Sequence, residues 1–202
     1  MFIGVIKDTG IVEQTEPELV IKVDLESAAE IEIKSHIAVN GRVLIAVNGR
    51  VLRVLSKDVD DRVCRLKFSN SNLYQPKNYL PQEKVNLEPA VRLGAEIPGT
   101  FFYGIPTGLV KLVSRELLSN GNLLMKVSFE NNLVDYLSVR DCVCLDGIFL
   151  QIINIDNYFI SFNIYSNTLK TTSLLEKQSG SLNIELDPFS LKIAKIFQKF
   201  NN

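Results

Sequence analysis

The strongest constraint on this chain is that it contains the same pattern twice. Three short stretches, residues 2–6, 48–52 and 85–88, return in the same order as residues 102–106, 146–150 and 182–185. The offsets between the paired stretches are 100, 98 and 97 residues. Ordered matches at a nearly constant spacing indicate an internal duplication. We therefore predict two similar domains, at 1–97 and 98–187, with a Pro- and Gly-containing link at 89–100.

Composition argues against several classes of partner. The chain is 46% hydrophobic and 22% charged, which is ordinary for a globular protein. Its net charge is −1, whereas a nucleic-acid surface needs a clear excess of Lys and Arg. The apolar start is interrupted by Lys7 and Asp8, too early for a signal peptide, and no apolar run reaches membrane-spanning length. We expect a cytoplasmic protein that binds neither nucleic acid nor membranes.

Both halves have the apolar alternation of half-buried strands. In the first half it covers residues 19–25, 30–34 and 62–68, and in the second half residues 125–129, 143–153 and 158–164, with a tight turn at 156–157. Many short strands in a domain this small favour a closed antiparallel barrel over an open sheet, because closure removes the exposed edges. The sequence therefore predicts an all-β protein with two barrels.

An eight-residue duplication is nested inside the longer repeat. Residues 37–44 and 45–52 are identical, each reading Ile-Ala-Val-Asn-Gly-Arg-Val-Leu. Asn-Gly turns easily because both residues tolerate positive φ. Asn48 lies 98 residues before Asp146, in step with the long repeat, whereas Asn40 lies 106 residues before it. The first copy, 37–44, is therefore predicted to be the inserted one.

The last segment changes from strand to helix periodicity. Its apolar residues recur on one face of a helix at Phe189, Ile193, Ile196, Phe197 and Phe200. Asp187 is suited to cap the helix and Pro188 to its first turn. Such a stripe is expected to be buried, either on the chain's own barrel or on a neighbouring subunit. The second option predicts an oligomer.

The cysteines and the histidine do not suggest a metal or disulfide site. Cys142 and Cys144 are two residues apart in an alternating stretch and should share one strand face as small apolar fillers, like Cys64. A metal site needs at least three good ligands, and His36 is far away in the sequence. We expect His36 at the surface or in a capping role, and no metal.

Several motifs resemble the riboflavin synthase family along nearly the whole chain. They are Met1-Phe2-x-Gly4, Asn48-Gly49-x-x-Leu52 and Asp146-Gly147-x-x-Leu150, with Val85-Asn86-x-Glu88 and Asn183-x-Glu185-x-Asp187 closing the halves. The resemblance implies two tandem six-stranded Greek-key β-barrels followed by a C-terminal helix, at 188–202, that joins a homotrimer. It also implies that each barrel can hold one 6,7-dimethyl-8-ribityllumazine, two of which are dismutated to riboflavin and a pyrimidine. Non-catalytic relatives of this family hold a lumazine or flavin as a fluorescent ligand.

The positions that carry the family's chemistry are replaced in this chain. The resemblance places Val51 where active members have a thiol, and Arg53 and Gln151 where they have threonines. Phe149 stands at a serine position, and the segment around Gly99 and Gly104 lacks the family's histidines. Dismutation needs acid–base groups and a nucleophile or water near the ring. No residue is a convincing catalytic candidate.

Ligand-binding positions survive better, mainly in the second half. The resemblance assigns the ligand to Asn48, Gly49, Arg53, Gly147, Gln151, Thr168, Leu169, Thr172 and Asp187. It implies no required cofactor, with lumazine, riboflavin or FMN as the bound ligand. Thr168 and Thr172 could equally be ordinary barrel-rim hydroxyls, and Asp187 simply a helix cap. Three functions therefore stay open: a catalytically impaired lumazine- or flavin-binding protein, which we favour, an active riboflavin synthase, and a structural module without a ligand.

Overall fold

The computed structural model of the chain describes residues 5–29, 31–33, 35–41, 54–60, 63–68, 79–91, 94, 104–129, 137–156 and 158–200. The first half contains β1 (Asp8–Gln14), β2 (Leu19–Asp24), α1 (Leu25–Ala29), β3 (Ile37–Val39), β4 (Val54–Asp60), β5 (Val63–Phe68) and β6 (Lys84–Pro89). The second half contains β7 (Ile105–Leu117), β8 (Leu123–Phe129), β9 (Cys142–Leu145), β10 (Ile148–Asp156), β11 (Phe159–Ile164), α2 (Ser166–Thr171), a 3-10 turn (Ser173–Leu175) and β12 (Ser181–Leu186). The last element is α3 (Pro188–Phe200).

The two halves use the same strand order. The first is a six-stranded antiparallel sheet, β3-β6-β1-β2-β5-β4, and the second is a closed barrel, β9-β12-β7-β8-β11-β10. Each strand of the first half corresponds to the strand six places later in the second. At the open edge of the first sheet, the Val54 N–H donates to the Ser35 carbonyl at 3.3 Å, which brings the start of β4 next to β3. The predicted all-β fold of two six-stranded units and a terminal helix is confirmed.

Alternation of apolar side chains builds the two cores. In β5 and β8 every second residue is buried, from Cys64 to Phe68 and from Leu123 to Phe129. Phe68 fills one core and Phe162 the other, and neither exposes any side-chain surface. Burying a large aromatic side chain contributes about 1.5–3 kcal/mol. Each half is thus held by its own hydrophobic cluster.

One predicted strand is wrong. Residues 30–34 alternate in the sequence, but the described part of this segment is a turn that follows α1. Ile31 is buried while Ile33 is 54% exposed, and the Ile31 N–H donates to the Ala28 carbonyl. The preceding Glu-Ser-Ala-Ala favours a short helix, since Ala and Glu have high helix propensity. The chain therefore leaves β2 through a helical turn, and residues 31–33, the described part of the segment, pair with no strand.

The interpretation of the eight-residue duplication is also wrong in part. The first copy, 37–44, is not the inserted one, because its residues 37–39 form β3 and residues 40–41 form the turn that follows. Asn40 has a φ of 50°, like Asp146 at 46°, and each follows the strand that pairs with the closing strand of its half. Val54 pairs with Phe68 next to a register shift, as Ile152 pairs with Phe162, and Val54 lies 98 residues before Ile152, the predicted offset. The extra residues thus lie between β3 and β4, in the stretch outside the described residues.

Helix α3 begins as the sequence predicts. The Asp187 carboxylate accepts a hydrogen bond from the Ser190 N–H at 2.9 Å and caps the helix. Leu191 packs against the second core, on the face opposite the predicted stripe. Along that stripe Phe189, Ile193 and Phe197 are 73%, 55% and 64% exposed. The helix is therefore docked through one side and presents its apolar stripe away from its own barrel.

Candidate functional site at the junction of the two halves

The two halves meet through a reciprocal set of hydrogen bonds between their equivalent turns. Within the first half, the Asn86 N–H donates to Asn40 Oδ1 at 2.8 Å, and within the second the Asn183 N–H donates to Asp146 Oδ1 at 2.8 Å. Across the junction, Asn86 Nδ2 donates to the Asp146 carbonyl at 2.9 Å and Asn183 Nδ2 donates to the Asn40 carbonyl at 3.2 Å. The Asn of each Asn-x-Glu motif thus supports its own turn and binds the other half.

Glycine follows each of these turn residues because the backbones are in contact there. Gly41 has a φ of 70° and Gly147 a φ of 80°, in the region that favours glycine. A Cβ on Gly147 would lie 2.7 Å from the backbone nitrogen of Gly41 and 2.9 Å from its Cα. Gly147, predicted as a ligand residue, is buried in this junction.

A largely buried lysine adds an ionic link. Lys177 Nζ lies 3.0 Å from Glu83 of the first half and 3.2 Å from Asp146 of the second. The side chains of Lys177 and Glu83 are 11% and 10% exposed, and that of Asp146 is fully buried. Sequence reasoning missed both Lys177 and Glu83, because each lies in a polar stretch that reads as a solvent-exposed loop.

Two predicted ligand residues lie at one end of the second barrel. Gln151 on β10 pairs with Cys142 on β9, and its side-chain amide donates to the Arg140 carbonyl at 3.2 Å. Asp187 and Cys142 line a cavity of about 220 Å³ together with Leu137, Asp141, Leu186, Ser190 and Leu191. Asp187 is therefore both the helix cap and part of a cavity wall. The cavity thus combines three leucines with two carboxylates, a hydroxyl and a thiol.

The predicted threonines lie in a second place, in and after α2. The Thr172 hydroxyl donates to the Thr168 carbonyl at 2.7 Å, and Thr172 is 4% exposed. Leu169 is buried in the second core. Thr168 is only partly buried, so its hydroxyl is the more accessible of the two. The remaining predicted ligand residues, Asn48, Gly49 and Arg53, lie outside the described residues.

A larger groove runs along the junction beside Lys177. It has a volume of about 630 Å³ and is lined by residues of both halves, among them Ile11, Leu80, Lys84, Leu109, Ser173 and Glu176. Two ion pairs border it, Lys177 with Glu83 and Lys84 with Glu176. Its size falls within the range of small-molecule sites, about 300–1,000 Å³.

The cysteines are free thiols whose environment disfavours the thiolate. Burial raises the pKa of Cys144 well above its ordinary value, with Glu185 and Glu88 adding to the effect. Burial and Asp141 raise the pKa of Cys142. Among the described residues, no group of three His, Cys, Asp or Glu side chains is arranged to hold a metal ion. No helix within the same residues has the length and apolar character to span a membrane.

Comparison with known proteins gives matches in sequence. Riboflavin synthase of Chlamydia muridarum (strain MoPn / Nigg) is 36% identical over 112 residues, which are 55% of this chain and 54% of that protein. Riboflavin synthases of Chlamydia trachomatis serovar D and Chlamydia pneumoniae are 34% and 30% identical over 112 and 106 residues. The predicted resemblance to the riboflavin synthase family is confirmed. The chain spans about half the length of the curated riboflavin synthases it matches, and no protein-family model matches it.

Solved structures extend the likeness from part of the sequence to the fold of nearly the whole chain. LumP complexed with riboflavin superposes with a TM-score of 0.73, at 18% identity over 93% of this chain and all of the LumP chain. LumP complexed with 6,7-dimethyl-8-(1'-D-ribityl) lumazine and LumP complexed with flavin mononucleotide each give a TM-score of 0.68 at 19% identity. The lumazine-protein fold therefore covers nearly the whole chain.

Proposed function

We propose that this chain binds 6,7-dimethyl-8-ribityllumazine or a flavin without dismutating it. The observation that carries the proposal is the full-length likeness in fold to LumP, which has been solved with lumazine, riboflavin and flavin mononucleotide. The loss of catalysis rests on the replaced positions. Val51 and Phe149 have no titratable group, and Gln151 cannot exchange a proton near neutral pH.

The second barrel is the better candidate for the ligand. The cavity lined by Asp187, Cys142 and Ser190 offers polar atoms beside leucine side chains, and its volume of about 220 Å³ would take part of the ligand. Gln151 pairs in register with Cys142, one of the residues that line the cavity. Thr168, Leu169 and Thr172 do not line this cavity but lie in and after α2, and the resemblance makes them ligand residues. In this proposal Gln151, Thr168 and Asp187 hydrogen-bond the ring or ribityl chain. In the first half, Asn48, Gly49 and Arg53 form a weaker ligand site or none.

Active riboflavin synthase is the second candidate. It is favoured by the identity to three curated riboflavin synthases, which reaches 36%. The two proposals differ only in turnover, so one preparation distinguishes them. Loss of one acid–base group reduces rate by about a hundred- to ten-thousand-fold, and several are replaced here. A ligand-free structural module is the outcome if neither binding nor turnover is found.

We expect measurable affinity and negligible riboflavin formation. In a fluorescence titration, Gln151→Ala or Thr168→Ala should weaken riboflavin or lumazine binding by about three- to tenfold, the value of one hydrogen bond. Thr171→Ala is the matched control, because this neighbouring hydroxyl is exposed and bonds only within α2. Turnover equal to that of an active riboflavin synthase contradicts the proposal, as does an affinity that Thr171→Ala lowers as much as Thr168→Ala.

Alkylation of cysteine tests where the ligand lies. Cys64 and Cys144 are 0% and 1% exposed, whereas Cys142 is partly exposed on the cavity wall. Riboflavin should therefore slow the reaction of Cys142 with iodoacetamide in the native protein. Binding that leaves the Cys142 rate unchanged places the ligand elsewhere, with the junction groove as the next site to test.

The exposed stripe of α3 supports an oligomer, which we propose is a homotrimer. Changing Phe189 and Phe197 to Asp should give a monomer near 22.7 kDa by light scattering, because charge on the stripe prevents apolar burial. Lys195→Ala, an exposed change on another face of the helix, should leave assembly unchanged. A wild-type protein that is monomeric at micromolar concentration contradicts this proposal. Domain limits at 97/98 and 187/188 and a cytoplasmic location are part of the same proposal.

A further inference from the structure

Two glutamates converge on the junction and are not explained by ligand binding. Glu88 on β6 and Glu185 on β12 occupy equivalent positions, each two residues after the asparagine that bridges the halves. They are 3% and 7% exposed. Carboxylates are rarely buried unless they are paired with a cation or protonated. Glu185 lies at the contact between Gly41 and Gly147, and Glu88 is near enough to Glu185 to act on its charge.

The surroundings of Glu185 disfavour a negative charge. Its Oε1 has no hydrogen-bond partner within the described part of the chain and lies directly over Gly41, where an added Cβ would be 1.9 Å away. Glu185 pairs in register with Cys144 on β9, and Glu88 and Asp146 add negative charge from β6 and the β9–β10 turn. Lys177 faces Asp146 and Glu83. Burial, with Glu88 and Asp146, raises the pKa of Glu185 to about 8.

We propose that the junction is a proton-dependent contact, in which Glu185 carries a proton beside Glu88 and the loss of that proton loosens the two halves from each other. The proton keeps the carboxyl neutral where solvent is excluded. Ionisation places an additional negative charge beside Glu88 and Asp146. Water must reach the ionised carboxylate to stabilise its charge, and this requires the Gly41–Gly147 contact to open. This loosening of the contact occurs in mild alkali and needs no ligand.

The direction of the pH dependence follows from proton binding. Because the folded protein holds the Glu185 proton more tightly than the unfolded chain does, this group stabilises the fold fully below the ordinary pKa of 4.5. The stabilisation declines as pH rises and is lost above about 8. We expect the Tm of the wild-type protein to fall by roughly 5 °C or more between pH 6 and 9.

Glu185→Gln provides the main test, since glutamine keeps the shape and removes the charge. This variant should have a flatter Tm–pH profile and be more stable than the wild type at pH 9. Glu176→Gln, an exposed acid paired with Lys84, is the control and should keep the wild-type profile. Hydrogen exchange at the Asn86 and Asn183 amides, both in the junction, should be slower in Glu185→Gln than in the wild type at pH 9. Exchange at the core amide of Ile160 should differ less.

Each outcome decides the proposal. A Glu185→Gln profile with the wild-type slope overturns it, and so does equal junction exchange in the two proteins. If Glu185→Gln does not fold, the assigned side-chain carboxyl carbon of Glu185 in the wild-type protein is titrated by NMR. A midpoint near 8 supports the proposal, and a midpoint below 6 contradicts it.

Discussion

Gly147→Ala should destabilise this protein by about 3–5 kcal/mol, close to the largest effect expected of a single methyl group. An alanine at positive φ costs roughly 1–2 kcal/mol by itself. The methyl group would also lie 2.7 Å from the Gly41 nitrogen and 2.9 Å from its Cα, so the two backbones must separate. Since those backbones join the halves, the reciprocal Asn86 and Asn183 hydrogen bonds should be lost as well. Thermal unfolding should show a Tm lower by roughly 10 °C.

Gly180→Ala separates the cost of positive φ from the cost of the close backbone contact. Gly180 also has a positive φ, 98°, but an added Cβ would meet nothing within 4 Å. This variant should show only the backbone strain, about 1–2 kcal/mol. Equal losses for Gly147→Ala and Gly180→Ala would mean that close packing at the junction is unimportant. A larger loss for Gly147→Ala, with faster exchange at the Asn86 and Asn183 amides, identifies the backbone contact as the cause.

The strands could be predicted from the sequence where one face is core and the other solvent. In β8, Leu123 to Phe129 alternate between buried and partly buried, and the alternation is visible in residue type. β12 behaves differently, since five consecutive residues from Leu182 to Leu186 are buried although Asn183 and Glu185 are polar. One face of β12 lines the barrel and the other meets the first half. No local pattern distinguishes that second face from a solvated one.

The candidate site was predictable to the extent that short motifs define it. The Asn-Gly and Asp-Gly turns and the Asn-x-Glu motifs identified Gly147, Asn86 and Asn183 as special residues before their partners were known. Lys177 could not be found this way, because its neighbours Glu176, Gln178 and Ser179 resemble a solvated loop. Its burial follows from contact between halves distant in sequence, which no window of neighbouring residues contains.

The duplicated octapeptide shows a different limit. Two identical copies have the same propensity for β3, so residue type cannot choose between them. The choice rests on connectivity. Residues 37–39 follow α1 closely enough to pair with β6, and the tail of the second copy leads directly into β4 at Val54. A constant offset measured at Asn48 identified the register of β4 correctly but assigned β3 to the wrong copy.

Lys177→Met should destabilise the protein by about 3–5 kcal/mol, because it leaves a buried charge without its partner. Asp146 is fully buried, and Lys177 is the cation on its Oδ2, while Oδ1 accepts from the backbone and side-chain nitrogens of Asn183. Glu83, 10% exposed, loses the same cation. Urea unfolding should show a lower midpoint with an unchanged slope, since the same surface is exposed on unfolding.

The first half supplies the variant that should restore the loss. Asn40 holds the position equivalent to Asp146 and makes the same hydrogen bond, from the Asn86 N–H at 2.8 Å, through a neutral amide. Combining Asp146→Asn with Lys177→Met removes the fully buried charge at position 146, leaves that of Glu83, and keeps the acceptor for Asn183. The double variant should regain about 2 kcal/mol over Lys177→Met alone, a coupling that a double-mutant cycle measures directly. If the two losses simply add, Lys177 acts through its aliphatic packing, and the charge on Asp146 is stabilised by the hydrogen bonds of Asn183.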